Sequence, residues 1–206
     1  MASERPATAL TTGKVRGSYL HLWTPHKNDE VGDDGQPKKA TYNGMFSFPK
    51  SDAKTKAKFD AAIAAVKTTP KALKAWGGRV PSKLKLPLRD ADSPDEADTL
   101  AKNPHLAGMY FFNATAQEEY PPSIVDRDLS PIMDKKRIYS GVWVYLDINL
   151  FGFGGKQNGV AVGISNVMFA KDDVPLGNVS RPETAFAEID DDDEDGPQSG
   201  GGDVLG

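Results

Sequence analysis

Apolar residues recur at every second position in several stretches of the chain, the period of a strand with one buried face. The clearest case is residues 139–150. Val142, Val144, Leu146, Ile148 and Leu150 alternate there with Tyr139, Trp143, Tyr145, Asp147 and Asn149. The first set defines a core face, and the second puts rings and polar groups together on the opposite one. Strand character extends over residues 137–151 and recurs at 14–23, 41–48, 106–114 and 159–170, rich in β-branched and aromatic residues. A helical period follows Pro49: Ala53, Ala57, Phe59, Ala62, Ile63 and Val66 share a face, with Ser51 placed as N-cap. Thr68-Thr69-Pro70 should end that helix near Lys67, and a short helical turn at 71–76 should close at Gly77-Gly78. Residues 28–38 and 90–98, dense in Asp with Gly or Pro, read as exposed connectors. Five strands with one or two helices predict a mainly β protein, a five-stranded OB-type barrel rather than a sandwich of seven or more strands.

Charge divides the chain. Residues 183–206 hold nine acids and no Lys or Arg, which leaves 25 basic against 20 acidic residues in 1–182. A body of +5 is thus followed by a tail of −9. Asp190, Asp191, Asp192, Asp193, Glu194 and Asp195 are consecutive and lead into a Gly/Ser/Pro run. Such a segment buries too little apolar surface to fold alone, so residues 1–182 are expected to form one domain and 183–206 a disordered acidic tail. The asymmetry suggests a polyanion-binding body with an internal competitor. No run of about 18 apolar residues and no leader-like opening is present, so neither a membrane span nor export is expected, and a cytoplasmic site follows. With no cysteine, disulfides, thiolate metal sites and thiol nucleophiles are excluded.

The aromatic face of residues 139–150 needs something flat to cover it. Another element of the protein would serve, and so would nucleobases, because stacking on an aromatic ring contributes about 1–3 kcal/mol per base whatever the sequence. Cations lie close in sequence. Residues 38–89 carry thirteen Lys or Arg against Asp52 and Asp60; Lys135, Lys136 and Arg137 precede the aromatic strand, and Lys156 follows it. Rings that hold bases interleaved with cations that neutralise phosphates are what a single-strand groove requires. Tyr139, Trp143 and Tyr145 are therefore the expected stacking residues, with Tyr19 and Trp23 added from the first strand. Lys38, Lys39, Arg79, Lys83, Lys85, Lys135, Lys136, Arg137 and Lys156 are the expected phosphate contacts. About half of the lysines on the helix, which include Lys54, Lys56, Lys58 and Lys67, belong to a solvated face.

Catalytic readings are weaker. Gly154-Gly-Lys156 resembles a phosphate loop only superficially, with Leu150 where a glycine is required and Gln157 where Ser or Thr is required. Asp126, Asp128, Asp134 and Asp147 could form a two-metal nuclease centre, but nothing in their spacing fixes a geometry. No nucleophile elbow is present, and His21, His26 and His105 adjoin no nucleophile. No enzyme activity, cofactor or metal is expected.

A set of motifs in order carries a family likeness. Thr41-Tyr-Asn-Gly-Met-Phe-Ser-Phe-Pro-Lys50 before a helix, Pro121-Pro-Ser-Ile-Val-Asp126, Tyr139-Ser-Gly141, Gly159-Val-Ala-Val-Gly-Ile-Ser-Asn-Val167 and Pro175-Leu-Gly177 resemble the single-stranded DNA-binding proteins of tailed bacteriophages over residues 14–181. The resemblance implies an OB fold and non-enzymatic binding of single-stranded DNA in phage replication or recombination, in the host cytoplasm. It also implies an acidic tail that regulates binding and recruits replication proteins. The expected partners are thus single-stranded DNA and, through residues 190–195, phage replication proteins; a homodimer is compatible with the pattern. Two rivals stay open, an assembly module whose aromatic face is an interface and a metal-dependent nuclease.

Overall fold

The alternating stretches become the long strands of one sheet. The computed structural model describes residues 5–27, 35 and 37–177. In chain order the elements are β1 (Ala9–Thr11), β2 (Val15–His26), β3 (Thr41–Pro49), α1 (Ala53–Val66), α2 (Pro70–Ala75), β4 (Arg89–Asp90), α3 (Ala97–Lys102), β5 (Met109–Gln117), β6 (Ser123–Val125), β7 (Trp143–Phe153) and β8 (Gly159–Lys171). The protein is mainly β with three α-helices among the described residues. β2 pairs antiparallel with β3, β3 with β5, β8 with β7 and β7 with β2, while β5 and β8 are parallel. The pairings of these five strands therefore return to the strand on which they began. β1 extends β7, β4 adds to β5 and β6 lies parallel to β8.

The core follows from the alternation. Val142, Val144, Leu146, Ile148 and Leu150 are all buried and meet Val160, Val162, Ile164 and Val167 of β8. Phe59 on α1 inserts between Phe48 and Phe112, with ring centroids 6.0 and 4.8 Å away. Phe59, Ala62, Ile63 and Val66 are buried against the strands, which stabilises a phenylalanine by roughly 1.5–3 kcal/mol relative to exposure. Ala53 and Ala57, expected on the same face, are exposed, and Thr55 holds the buried position of the first turn. α2 packs closely on β7 because Gly152 is there: a Cβ would lie 2.5 Å from that of Ala72. Trp76 completes this contact by donating its indole N–H to Phe153 O at 2.9 Å.

Several expectations are corrected locally. The strand expected at 106–114 runs from Met109 to Gln117, with residues 104–106 in a 3-10 turn, and the short strands β1, β4 and β6 are added to the five expected. The cap of α1 is Asp52, not Ser51, because the Asp52 carboxylate accepts the Thr55 N–H at 3.0 Å. The strand expected from residue 137 begins at Trp143; Lys135–Arg137 is a 3-10 turn, and Gly141, at φ 120°, lets the backbone of Val174 approach where a Cβ would sit 2.5 Å from its carbonyl. Residues 90–98 are not a plain loop. They contain the 3-10 turn Pro94–Glu96 and run into α3. Few as they are, Ala91, Leu100 and Leu106 suffice to dock this segment on Met45 and Phe111, forming a second apolar cluster outside the main core. Lys50 holds it down through Asp90 and Asp92, and Arg89 lies over the Phe111 ring at 4.2 Å. The compact unit ends at Leu176. The expected boundary at 182 and the acidic run 190–195 lie outside the described residues.

Candidate nucleic-acid interface

β3 and β5 turn one set of side chains inward and the other out. Phe46, Phe48, Phe112 and Ala114 go to the core, while Thr41, Asn43, Asn113, Thr115 and Gln117 form the outer face. The segment around α3 covers this face only at its Met45, Ser47 and Phe111 end. What stays open is a furrow of two clefts that share Thr41 and Thr115. One, of 450 Å³, is lined by Tyr19, His26, Asn43 and Asn113; the other, of 560 Å³, by Lys38, Lys39, Gln117 and Glu119. Cross-strand pairing continues its floor sideways through His21, Asn43, Thr115, Gly163 and Asn149, one residue from each of the five long strands. Apart from the His21 ring the row consists of Asn, Thr and Gly, small and without fixed charge, so a flat ligand has room to approach. Phe151, 38% exposed, borders it, with Cε1 3.6 Å from where a Gly163 Cβ would be.

Tyr19 stands at the edge of this floor because β2 breaks its register between Ser18 and His21. Its φ of 50° is the left-handed conformation that a bulge imposes and that side chains other than glycine rarely adopt. Leu20 turns the other way and sits on Gly17 and Gly44, where a Cβ would lie 2.8 and 2.7 Å from its methyl groups. The bulge thus sends one neighbour into the core and leaves the Tyr19 ring 59% exposed. Beyond it, His21 and His26 stack with centroids 4.3 Å apart. Burial, together with the His26 charge, holds the His21 imidazole below its usual pKa, so the neutral form is favoured.

The remaining ring positions have other partners. Tyr139 is half-buried and donates its hydroxyl to Asp173 O at 2.8 Å; burial raises its phenol pKa. Trp143, also half-buried, donates Nε1–H to Asp173 Oδ2 at 2.6 Å, a bond that lowers the Asp173 pKa, and Lys171 lies over its ring at 5.3 Å. Arg16 adds a bond to Val174 O at 2.8 Å, and Leu176 donates its N–H to Ser140 O at 2.7 Å. Residues 172–176 are thereby strapped across the outer ends of β2 and β7. Tyr145 is half-buried opposite Met168 of β8. Trp23 packs against the main core with its indole N–H buried and unpartnered.

The basic residues separate into three groups. Lys38 and Lys39 line the furrow, where Lys39 also meets Glu119 at 3.1 Å. Lys85 bridges to Gly159 through its backbone, next to the β7–β8 turn that carries Lys156. Arg79 shares a 530 Å³ cleft with Asn158 of that turn, and Lys83 lies exposed on the same segment. Lys135, Lys136 and Arg137 sit elsewhere, with Arg137 paired to Asp126 at 3.1 Å and stacked 4.4 Å over Phe169. Sequence reading missed Asn43, Asn113 and Thr115, whose signal was the polar alternation at the ends of β3 and β5. It also missed Phe151 and the two stacked histidines.

The four aspartates of the nuclease rival are dispersed among local partners. Asp126 meets Arg137, Asp128 accepts from Ser130, Asp134 caps the 135–137 turn and Asp147 is bound by Arg5 and Asn166. Among the described residues no three metal-ligating side chains converge. No helix among them is long and apolar enough to cross a membrane.

Residues 8–196 match the family model described as the Enterobacter phage Enc34 ssDNA-binding protein, and the chain belongs to that phage family of single-stranded DNA-binding proteins. The structure is similar to that of the single-stranded DNA-binding protein from bacteriophage Enc34 in complex with ssDNA, at 21% identity and a TM-score of 0.67, covering 85% of this chain and 97% of that one. A C-terminal truncation of the Enc34 protein gives 20% identity and 0.64, over 85% and 95% of the two chains. The gp2.5 single-stranded DNA-binding protein encoded by bacteriophage T7 gives 13% and 0.59, over 88% and 99%. No curated protein matches the sequence.

Proposed function

We propose that this protein binds single-stranded DNA without sequence preference and without catalysis, along the outer face of β3 and β5, in phage replication or recombination. The observation that carries the reading is the furrow itself: an exposed tyrosine at the rim of an uncharged, small-residue floor, with Lys38 and Lys39 farther along it. The circuit of five strands is read as an OB-type barrel. Such barrels bind oligonucleotides on the face of their second and third strands and through the loops joining strands one to two and four to five. Counted along the circuit, those are β3 and β5, the connector that carries Lys38 and Lys39, and the turn with Lys156. Tyr19 is assigned to base stacking, with Phe151 as a second ring. Lys38, Lys39, Arg79, Lys83, Lys85 and Lys156 are assigned to phosphates. Lys135 and Lys136, exposed away from the furrow, extend the positive field, while Tyr139 and Trp143 are assigned to holding the 172–176 strap. Trp23 and Tyr145 support the strands that carry the site.

The acidic tail completes the proposal. Nine negative charges tethered to a body of +5 act at high effective concentration as a competitor for the cationic furrow, and DNA releases them for replication proteins. One titration tests both parts. Oligothymidylate binding should weaken with salt by about 0.7 decades per decade for each phosphate neutralised, and removal of residues 183–206 should tighten it. A flat salt response overturns the groove, and unchanged affinity after truncation overturns the competitor.

A further inference from the structure

We infer that Asn103 is a positioning residue for DNA binding: it holds the Tyr19 ring in the attitude that receives a base. The inference deepens the proposed function and rests on its placement of the furrow. Tyr19 is 59% exposed, so packing on other side chains restrains only part of its ring. Its hydroxyl, however, donates to Asn103 Oδ1 at 2.8 Å, across 84 residues of sequence.

Asn103 is built to stay still. It is 7% exposed, caps the C-terminus of α3 and donates Nδ2–H to Thr99 O at 3.0 Å while its backbone N–H goes to Leu100 O. The bond to Thr99 uses the amide nitrogen and so turns the amide oxygen toward the phenol. Two residues on, His105 Nε2 lies 3.1 Å from the hydroxyl of Ser18, tying the same turn to the residue before Tyr19. The ring is therefore held at both ends, at its backbone by the bulge and at its hydroxyl by Asn103. The segment 89–108, which covers one end of the β3–β5 face, thus also fixes the ring at the furrow's edge. A side chain ordered before the ligand arrives does not have to be ordered by it, and binding is tighter to that extent.

The test is a double-mutant cycle on oligothymidylate affinity, read beside the thermal midpoint. Tyr19→Phe keeps the ring and removes only the bond; it should weaken binding about 2- to 10-fold. Asn103→Ala should do the same, and the Tyr19→Phe/Asn103→Ala pair should be no weaker than either single change, because both remove one interaction. Tyr19→Phe with wild-type affinity overturns the inference, as do additive effects in the cycle. Should Asn103→Ala fail to fold, the exposed Tyr19→Phe change decides alone. Tyr19→Ala separates the two levels: wild-type affinity there removes the furrow reading itself, whereas weak binding by Tyr19→Ala with full binding by Tyr19→Phe removes only the role of Asn103.

Discussion

Two surfaces of the same sheet carry aromatic residues, and they differ in what those residues are already doing. On the outer face of β7, Trp143 has its N–H on Asp173 and its ring under Lys171, and Tyr139 beside it grips the same strap. On the β2–β3–β5 face, Tyr19 presents most of its ring over a floor of Asn and Thr, with one hydrogen bond at its tip. Aromatic residues are more numerous on the first surface, but the exposed ones, Tyr19 and Phe151, border the second. A ring available for a base is recognised by its exposure and by the emptiness of the space beside it, not by its place in a polar-face pattern.

Alanine at each of the two sites separates their roles. Tyr19→Ala should weaken single-strand binding by about 1–3 kcal/mol, in line with loss of one stacked base, and should cost about 1 kcal/mol of stability because the nearly buried Asn103 Oδ1 loses its phenol donor. Trp143→Ala should act mainly on the fold, destabilising it by about 1–3 kcal/mol through lost ring packing and a loosened strap while affinity holds; Asp173 keeps the Val174 N–H and Arg16. Fluorescence titration and urea unfolding of both variants check this, and a binding loss confined to Trp143→Ala would invert the assignment. A smaller effect is expected from the cations at the far end of the furrow. Lys38→Ala and Lys39→Ala should each lower the salt slope by about 0.7, equally for different DNA sequences, whereas Lys135→Ala should not change it.

The smallest effect concerns pH. The His21 pKa lies below 6.5, chiefly through burial, so the imidazole is neutral at pH 7. A bound phosphate favours the charged form; affinity should therefore rise modestly as pH falls below 6.5, and His21→Asn should flatten the profile. Folding stability should move in the opposite direction. His105 is also held below 6.5, by burial and then by Arg16, so the unfolded chain takes up the proton first. Its contribution is complete above pH 6.5 and declines as pH falls through that value. Thermal midpoints and affinities over pH 5 to 8 read the two trends separately.

Local periodicity was enough for the framework. The alternation of Val142, Val144, Leu146, Ile148 and Leu150 demands a half-buried strand wherever it is placed, and the spacing of Phe59, Ile63 and Val66 demands a helix. Those elements and the inward face of β7 were legible residue by residue. The acids of residues 90–98 disguised a docked segment, because Ala91 with Leu100 and Leu106 farther on is enough when a partner surface such as Met45 and Phe111 is already built. The polar alternation of Thr41 with Asn43, and of Asn113 with Thr115, was visible in principle but carried less weight than a row of rings.

Local pattern was sufficient for the five long strands to within a few residues, the main helix, the side of β7 that enters the core and the opposite charges of residues 1–182 and 183–206, since each depends on neighbours a few positions away; the short strands β1, β4 and β6 carry too few residues to show a period. Only the tertiary structure decided which rings stay free. Tyr19 became a candidate contact, and Trp143 a strap anchor, through partners 84 and 30 residues distant. Exposure is a property of what packs against a side chain, and that is settled when distant segments meet.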